Sequence, residues 1–116
     1  MLLDTNLKHV KDVQDFQNLI SENENVMVCC GRMGPMCIPV YDIMENLESK
    51  YTKVAFRDMA FDDQVSATIR SLPEVREFMG LPFTVYFKNG KVVEATSSIQ
   101  NKGQIISILE EKFDSD

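Results

Sequence analysis

The sequence predicts an α/β domain in which a central mixed β-sheet is flanked by helices on both faces. Segments with strand and helix character alternate along the chain, which then ends in a hairpin and an amphipathic helix. The first long strand segment is apolar throughout, as is typical of strands buried on both faces. A length of 116 residues suits one domain with one ordinary core, so we expect a single domain over residues 1–116.

The first half of the chain is predicted to form a strand, a helix and a second strand. A short strand is expected over residues 7–10, after which Asp12 would cap a helix, with Asp15 in a capping-box-like position. Residues 26–30 form the apolar strand segment. The apolar stripe of the helix consists of Val13, Phe16, Leu19 and Ile20.

The second half continues the alternation. A helix begins near Cys37, and residues 53–59 are expected to form the next core strand. Two short helices are predicted between residues 60 and 80, one capped by Asp62 and one running from Pro73 to just before Gly80. Two β-rich runs then flank Asn89-Gly90, the preferred pair for a type I′ hairpin turn, and a helix is expected over residues 102–113. The predicted order is β-α-β-α-β-α-β-β-α.

Charge and composition exclude several classes of partner. The net charge of −6 is spread along the chain without a Lys/Arg cluster, so we expect no nucleic-acid partner. No apolar run approaches the roughly 20 residues that span a bilayer, and the N-terminus lacks signal-peptide features, so a cytoplasmic location without membrane contact is expected. No nucleotide-binding loop is present, and no cofactor is expected. In a reducing compartment, clustered thiols are more often redox-active or metal-binding than structural.

All three cysteines lie between residues 29 and 37, at the two ends of a loop that joins a strand to a helix. This arrangement is typical of disulfide chemistry. Cys37 opens the helix, where unpaired backbone N–H groups favour a thiolate, so it is expected to be the most reactive of the three. Cys29 and Cys30 are adjacent in a strand and point to opposite faces. Only one of them faces Cys37 directly, and a twist at Gly31 leaves either as a possible partner.

Other side chains offer weaker chemistry. Thiolates together with Met33 and Met36 could bind a soft metal such as Cu(I), whereas the cysteine spacing matches no zinc pattern, and no metal site is predicted. His9, the only histidine, is expected to be an ordinary strand residue. Three acidic side chains are expected to lie in a solvated turn: Asp58, Asp62 and Asp63.

Residues 80–92, G-L-P-F-T-V-Y-F-K-N-G-K-V, resemble a characteristic stretch of the thioredoxin family. Together with thiols between the second strand and second helix, the resemblance covers residues 7–113, with 60–75 as an insertion. It implies a thioredoxin-like fold, a cis Leu81–Pro82 bond beside Cys37, and a monomeric oxidoreductase for protein or small-molecule disulfides. A thioredoxin-reductase-type protein would be the electron donor. The residues implied in substrate binding are Gly34, Pro35, Met36, Leu81 and Pro82.

The active-site motif departs from the family pattern, because the chain has no tryptophan and no C-x-x-C. Aligning the G-P pair with that of the family puts Met33 and Met36 at the two cysteine positions. Counting back from the helix keeps Cys37 and puts Gly34 at the nucleophile position, and we prefer this alignment because burial fixes helix register while loops absorb length changes.

Under the preferred alignment, Cys29 takes the place of the family's buried aspartate, which favours Cys37 with Cys29 over Cys37 with Cys30. Without a thiol at position 34, weak activity on generic disulfides is expected. A redox-inactive binding module with the same groove and a soft-metal-binding thiol protein are the alternative functions.

Overall fold

A computed structural model describes residues 2–113, and its elements follow the predicted order. A 3₁₀ turn, Gln64–Ser66, leads directly into the third helix. The strands are β1 (Lys8–His9), β2 (Asn25–Gly31), β3 (Val54–Ala60), β4 (Phe83–Lys88) and β5 (Lys91–Ser97). The helices are α1 (Val13–Glu22), α2 (Ile38–Leu47), α3 (Ala67–Arg70) and α4 (Lys102–Phe113).

The five strands form one mixed sheet in the order β1-β3-β2-β4-β5. Strands β1, β2 and β3 run parallel, while β4 is antiparallel to β2 and β5 is antiparallel to β4. All seven residues of the central strand β2 are buried. The strand that carries Cys29 and Cys30 is therefore the innermost of the sheet.

Side chains of β2 alternate between two cores, one on each face of the sheet. Met27 and Cys29 pack with residues of α2 and α4, whereas Val28 and Cys30 pack with residues of α1 and α3. This is the period-two alternation of a strand whose two faces are both covered. The predicted central sheet with helices on both faces is confirmed.

Local signals at the helix start and the hairpin are confirmed as well. The side chain of Asp12 accepts a hydrogen bond from the Asp15 amide at 2.8 Å, and Asp15 accepts one from the Lys11 amide at 3.1 Å. At the hairpin, Asn89 and Gly90 have φ values of 54° and 81°. A type I′ turn requires positive φ at both positions, which explains the choice of these two residues.

Several expectations are wrong. Strand β1 covers only Lys8–His9, and the Val13 side chain is 48% exposed, so it does not belong to the buried stripe of α1. Residues 71–80 form turns rather than a second helix. Val75 is buried there and Leu72 and Phe78 pack partly against the same core, but so short a segment forms few helical hydrogen bonds to offset the cost of nucleating a helix. Asp62 caps no helix, because Asp63 holds the cap position of the 3₁₀ turn.

No helix within residues 2–113 is long and apolar enough to cross a membrane.

Candidate functional site

Cys37 occupies the N-cap position of α2 and is 3% exposed. Its amide donates to the Gly34 carbonyl at 3.1 Å, and its Sγ accepts from the Arg32 amide at 3.4 Å. One helical turn later, the Tyr41 hydroxyl donates to the Arg32 carbonyl at 3.1 Å. The loop before the helix is thus tied to Cys37 on one side and Tyr41 on the other.

Gly31, the last residue of β2, permits an unusually close approach of three side chains. A Cβ at this position would lie 2.7 Å from Cys37 Sγ, 2.7 Å from Tyr41 Oη and 3.1 Å from Pro82 Cβ. Only a glycine leaves room for all three. The sequence predicted only that a strand stops at Gly31, although a glycine directly after an apolar run is the signal that could have indicated this contact.

The Leu81–Pro82 peptide bond is cis, and Pro82 meets Cys37 across Gly31, so both parts of that prediction are confirmed. Leu81 is half-buried and lines the groove above Cys37, whereas Pro82 is buried beside Gly31.

The three cysteines are free thiols that lie on two sides of the sheet. Cys29 shares a core cluster with Cys37, and Cys30 belongs to the cluster on the opposite face. Burial raises the pKa of Cys29 well above its ordinary value, an effect that a hydrogen bond from Thr84 at 3.7 Å partly offsets. Burial also raises the pKa of Cys30 to about 12, with the positive charge of Arg70 opposing it. Both strand thiols are therefore protonated at neutral pH.

A groove of about 460 Å³ opens beside Cys37. It brings the predicted loop residues together with Leu81, and two of its methionines are well exposed, Met36 at 43% and Met79 at 94%. Its lining residues are Arg32, Gly34, Pro35, Met36, Cys37, Phe61, Met79, Gly80, Leu81, Phe83 and Ser98. Met33 is 43% exposed and lies outside this lining.

An ion pair that the sequence did not predict fixes one rim of the groove. The Arg32 guanidinium donates two hydrogen bonds of 2.9 Å to the Asp62 carboxylate and stacks over the Phe61 ring at 5.0 Å. Arg70 lies over the same ring at 5.3 Å. The bidentate geometry orients Arg32, whose amide contacts Cys37.

Asp58 contradicts the expectation of a solvated turn, because it lies inside β3 and is fully buried. Its carboxylate accepts hydrogen bonds from the Thr5 hydroxyl at 2.5 Å and lies 2.7 Å from His9 Nδ1. His9 lies in β1 as predicted, and its contact with Asp58 is a feature that the sequence did not predict. Burial raises the pKa of Asp58, while its bonds to Thr5 and His9 lower it in part. A carboxylate within a strand that is buried on both faces needs such partners, which is the signal that could have identified it.

Among residues 2–113, no group of three or more His, Cys, Asp or Glu side chains is placed to hold a metal ion.

Comparison with known proteins gives matches among solved structures. No family model and no curated protein matches the chain. A thioredoxin from Plasmodium falciparum is 25% identical with a TM-score of 0.76, over 91% of this chain and 99% of that one. A mutant thioredoxin from Halobacterium salinarum is 19% identical with a TM-score of 0.75, over 96% and 94%. Fasciola hepatica thioredoxin is 22% identical with a TM-score of 0.70, over 90% and 98%.

The chain has a thioredoxin-like fold.

The chain departs from a C-x-x-C pattern, because a glycine stands three residues before Cys37, and it has no tryptophan. In general terms, this thioredoxin-like fold and its clustered thiols support a redox protein. Among the described residues other than Gly34 and its two chain neighbours, no heavy atom lies within 4 Å of the position that a Cβ of Gly34 would take. The space beside Gly34, which we call the notch above Cys37, is thus open. Gly34 holds the position of the first cysteine of a C-x-x-C motif that ends at Cys37.

Proposed function

We propose that this chain is an atypical cytoplasmic thiol–disulfide oxidoreductase whose redox pair is Cys37 and Cys29. The observation that carries the proposal is that Cys37 Sγ packs against Gly31, which follows Cys29 on the same face of β2. Gly31 lies two residues after Cys29, and Cys29 is in the same core cluster as Cys37, close enough for the charge of Cys37 to raise its pKa. Cys30 lies on the other face, with the sheet between it and Cys37.

The proposed reaction has two exchange steps. The thiolate of Cys37, held by the Arg32 amide, attacks one sulfur of a substrate disulfide in the groove and expels the other as a thiolate. The Cys29 thiolate then attacks Cys37 Sγ and releases the second substrate sulfur. The substrate gains two electrons, and the cysteine pair becomes a disulfide. A reductase of the thioredoxin-reductase type would return the pair to two thiols, and protein disulfides are the proposed substrates.

Access to Cys37 limits this activity. Its thiol is 3% exposed, and Gly34 supplies no second sulfur at the rim. A substrate disulfide must therefore enter the groove deeply before attack. We accordingly propose slow turnover of generic disulfides and faster turnover of those that fit the groove.

Thiol counts on the oxidised, denatured protein test the assignment. The wild type has three cysteines, so a Cys29–Cys37 disulfide leaves one free thiol. Under this pairing, Cys29→Ser and Cys37→Ser each retain two free thiols, and Cys30→Ser retains none. If Cys29→Ser instead shows none and Cys30→Ser shows two, Cys30 is the partner of Cys37. A wild type that keeps all its thiols under mild oxidation would contradict the redox function.

A binding module is the second candidate, favoured by the exposed Met36 and Met79 beside a nearly inaccessible thiol. Flexible methionine side chains adapt to varied apolar partners. The Cys37→Ser variant distinguishes the two functions. In a binding module this variant keeps the ligand affinity of the wild type, whereas in an oxidoreductase it loses turnover completely.

A further inference from the structure

Polar side chains form a row across the α2/α4 face of the sheet. His9 of β1 is in register with Asp58 of β3, which is in register with Cys29 of β2. On the other side of Cys29 the row continues through Thr84 of β4 to Thr96 of β5. The buried polar residues in the described part of the chain are Asn25, Asp58, Ser66 and Thr84. Two of these four flank Cys29 directly.

The row matters because Cys29 must lose a proton before it can attack. Its thiol is fully buried, and burial is the main reason its pKa is raised. In-register residues on adjacent strands are about 4.8 Å apart, which makes the Asp58 carboxylate a nearby base. Its charge also contributes to the raised pKa of Cys29. Two anions at this separation repel each other, so the pair favours one negative charge and a proton that moves between them.

The row also connects Cys29 to the surface. Asp58 Oδ1 lies 2.7 Å from His9 Nδ1, and the His9 side chain is 20% exposed whereas that of Asp58 is 1% exposed. Strand β1 is the edge strand of the sheet. His9 therefore bridges a buried carboxylate and the solvent at the sheet edge.

We infer that Asp58 and His9 form the proton route of Cys29. In the second exchange step, Cys29 gives its proton to Asp58 as its sulfur attacks Cys37 Sγ of the mixed disulfide. The S–S bond to the substrate breaks, and the substrate leaves as a thiolate. Asp58 then passes the proton to His9, which releases it to water. This inference rests on the proposed function, because it assigns the base of that reaction.

The surroundings of Asp58 give the direction of its pH dependence. Thr5 and His9 bond to the carboxylate, the Cys29 thiol lies in register on β2, and Glu45 faces it from α2. Burial, together with the negative charge of Glu45, raises the pKa of Asp58. Asp58 accepts a proton only above that pKa. The second step therefore slows as the pH falls through it.

Mixing the reduced protein with one equivalent of chromogenic dithiobis-nitrobenzoate separates the two exchange steps, because a second nitrothiolate can then come only from the mixed disulfide. In a Cys30→Ser background, one nitrothiolate is released when Cys37 attacks and a second when Cys29 resolves the mixed disulfide. Asp58→Asn should leave the first release unchanged, slow the second at least tenfold and abolish its decline at acidic pH. Asp42→Asn, which removes an exposed carboxylate from α2, should change neither release.

His9→Asn provides a test if Asp58→Asn does not fold. The asparagine amide retains an N–H near the position of Nδ1 but cannot pass a proton on, so the second release should again slow. If the Cys30→Ser parent releases only one nitrothiolate, the proposed Cys29–Cys37 exchange is wrong. If this parent releases two and each folded variant matches its rate at every pH, the proton route is overturned and the exchange stands.

Discussion

Replacing Gly31 with alanine tests whether the packing at the end of β2 holds the site together. The added methyl group would lie 2.7 Å from both Cys37 Sγ and Tyr41 Oη, and 3.1 Å from Pro82 Cβ. Carbon atoms pack favourably at about 3.5–4.0 Å, so all three neighbours are too close. Two of them belong to the first turn of α2 and one to the loop before β4. Movement of α2 alone therefore does not relieve every contact.

The cost follows from the overpacking of well-packed cores, which is about 1–3 kcal/mol. The entropy of unfolding is about 2.1 cal/mol/K per residue, or about 0.24 kcal/mol/K for this chain of 116 residues. Gly31→Ala should therefore lower Tm by about 4–12 °C in thermal unfolding followed by circular dichroism. Because Cys37 Sγ must move away from β2, the fraction of protein that forms an internal disulfide should fall as well.

Gly34→Ala is the matched control. In the described part of the chain, nothing lies within 4 Å of the site of its Cβ, so the same methyl group should leave Tm and disulfide formation unchanged. The reasoning is refuted if Gly31→Ala melts within a degree of the wild type and forms the disulfide equally well.

Three further changes give distinct outcomes. Gly34→Cys places a thiol in the open notch three residues before Cys37, so turnover of insulin disulfides should rise, and an unchanged rate would contradict the placement of Cys37 at the groove. Tyr41→Phe removes the hydroxyl bonded to the Arg32 carbonyl, which costs about 0.5–1.5 kcal/mol and should lower Tm by about 2–6 °C; no change would show that this bond does not anchor the loop. The stability that Asp58 contributes is present below its ordinary pKa and lost as the pH rises through its raised pKa. In urea unfolding, the wild type should therefore lose stability relative to Asp58→Asn as the pH rises, and a constant difference would contradict the assigned burial of the charge.

Local patterns were sufficient to predict most of the architecture. The apolar run of β2 predicted a strand buried on both faces, and its alternation placed Cys29 and Cys30 on opposite sides. The Asn89-Gly90 pair predicted the hairpin, because its positive φ angles are a property of the turn itself. In each case the decisive interaction lies within a few residues along the chain.

Interactions between distant strands could not be predicted in this way. His9 and Asp58 are 49 positions apart, and only the parallel pairing of β1 with β3 brings them into register. The same applies to Gly31, whose neighbours come from α2 and from the loop before β4. The helix predicted within residues 71–80 is absent for a different reason: Pro73 and Gly80 are placed as helix boundaries, but the segment between them is too short to offset the cost of nucleation.

The contacts that hold Cys37 and the groove that gives access to it are formed by different parts of the site. The cis Leu81–Pro82 bond, Gly31 and the start of α2 all converge on Cys37, yet the position that would expose a first sulfur is a glycine. Under the proposed function, such a thiol would react only with disulfides that the groove admits. On the inner side, the pairing of β2 with β3 puts Cys29 beside Asp58, so under the proposed proton route the buried thiol loses its proton within the sheet. Selectivity for substrates would then depend on the groove, and the rate of the second exchange step would depend on the polar row. Because the groove and the row are separate parts of the molecule, separate mutations can change each of them.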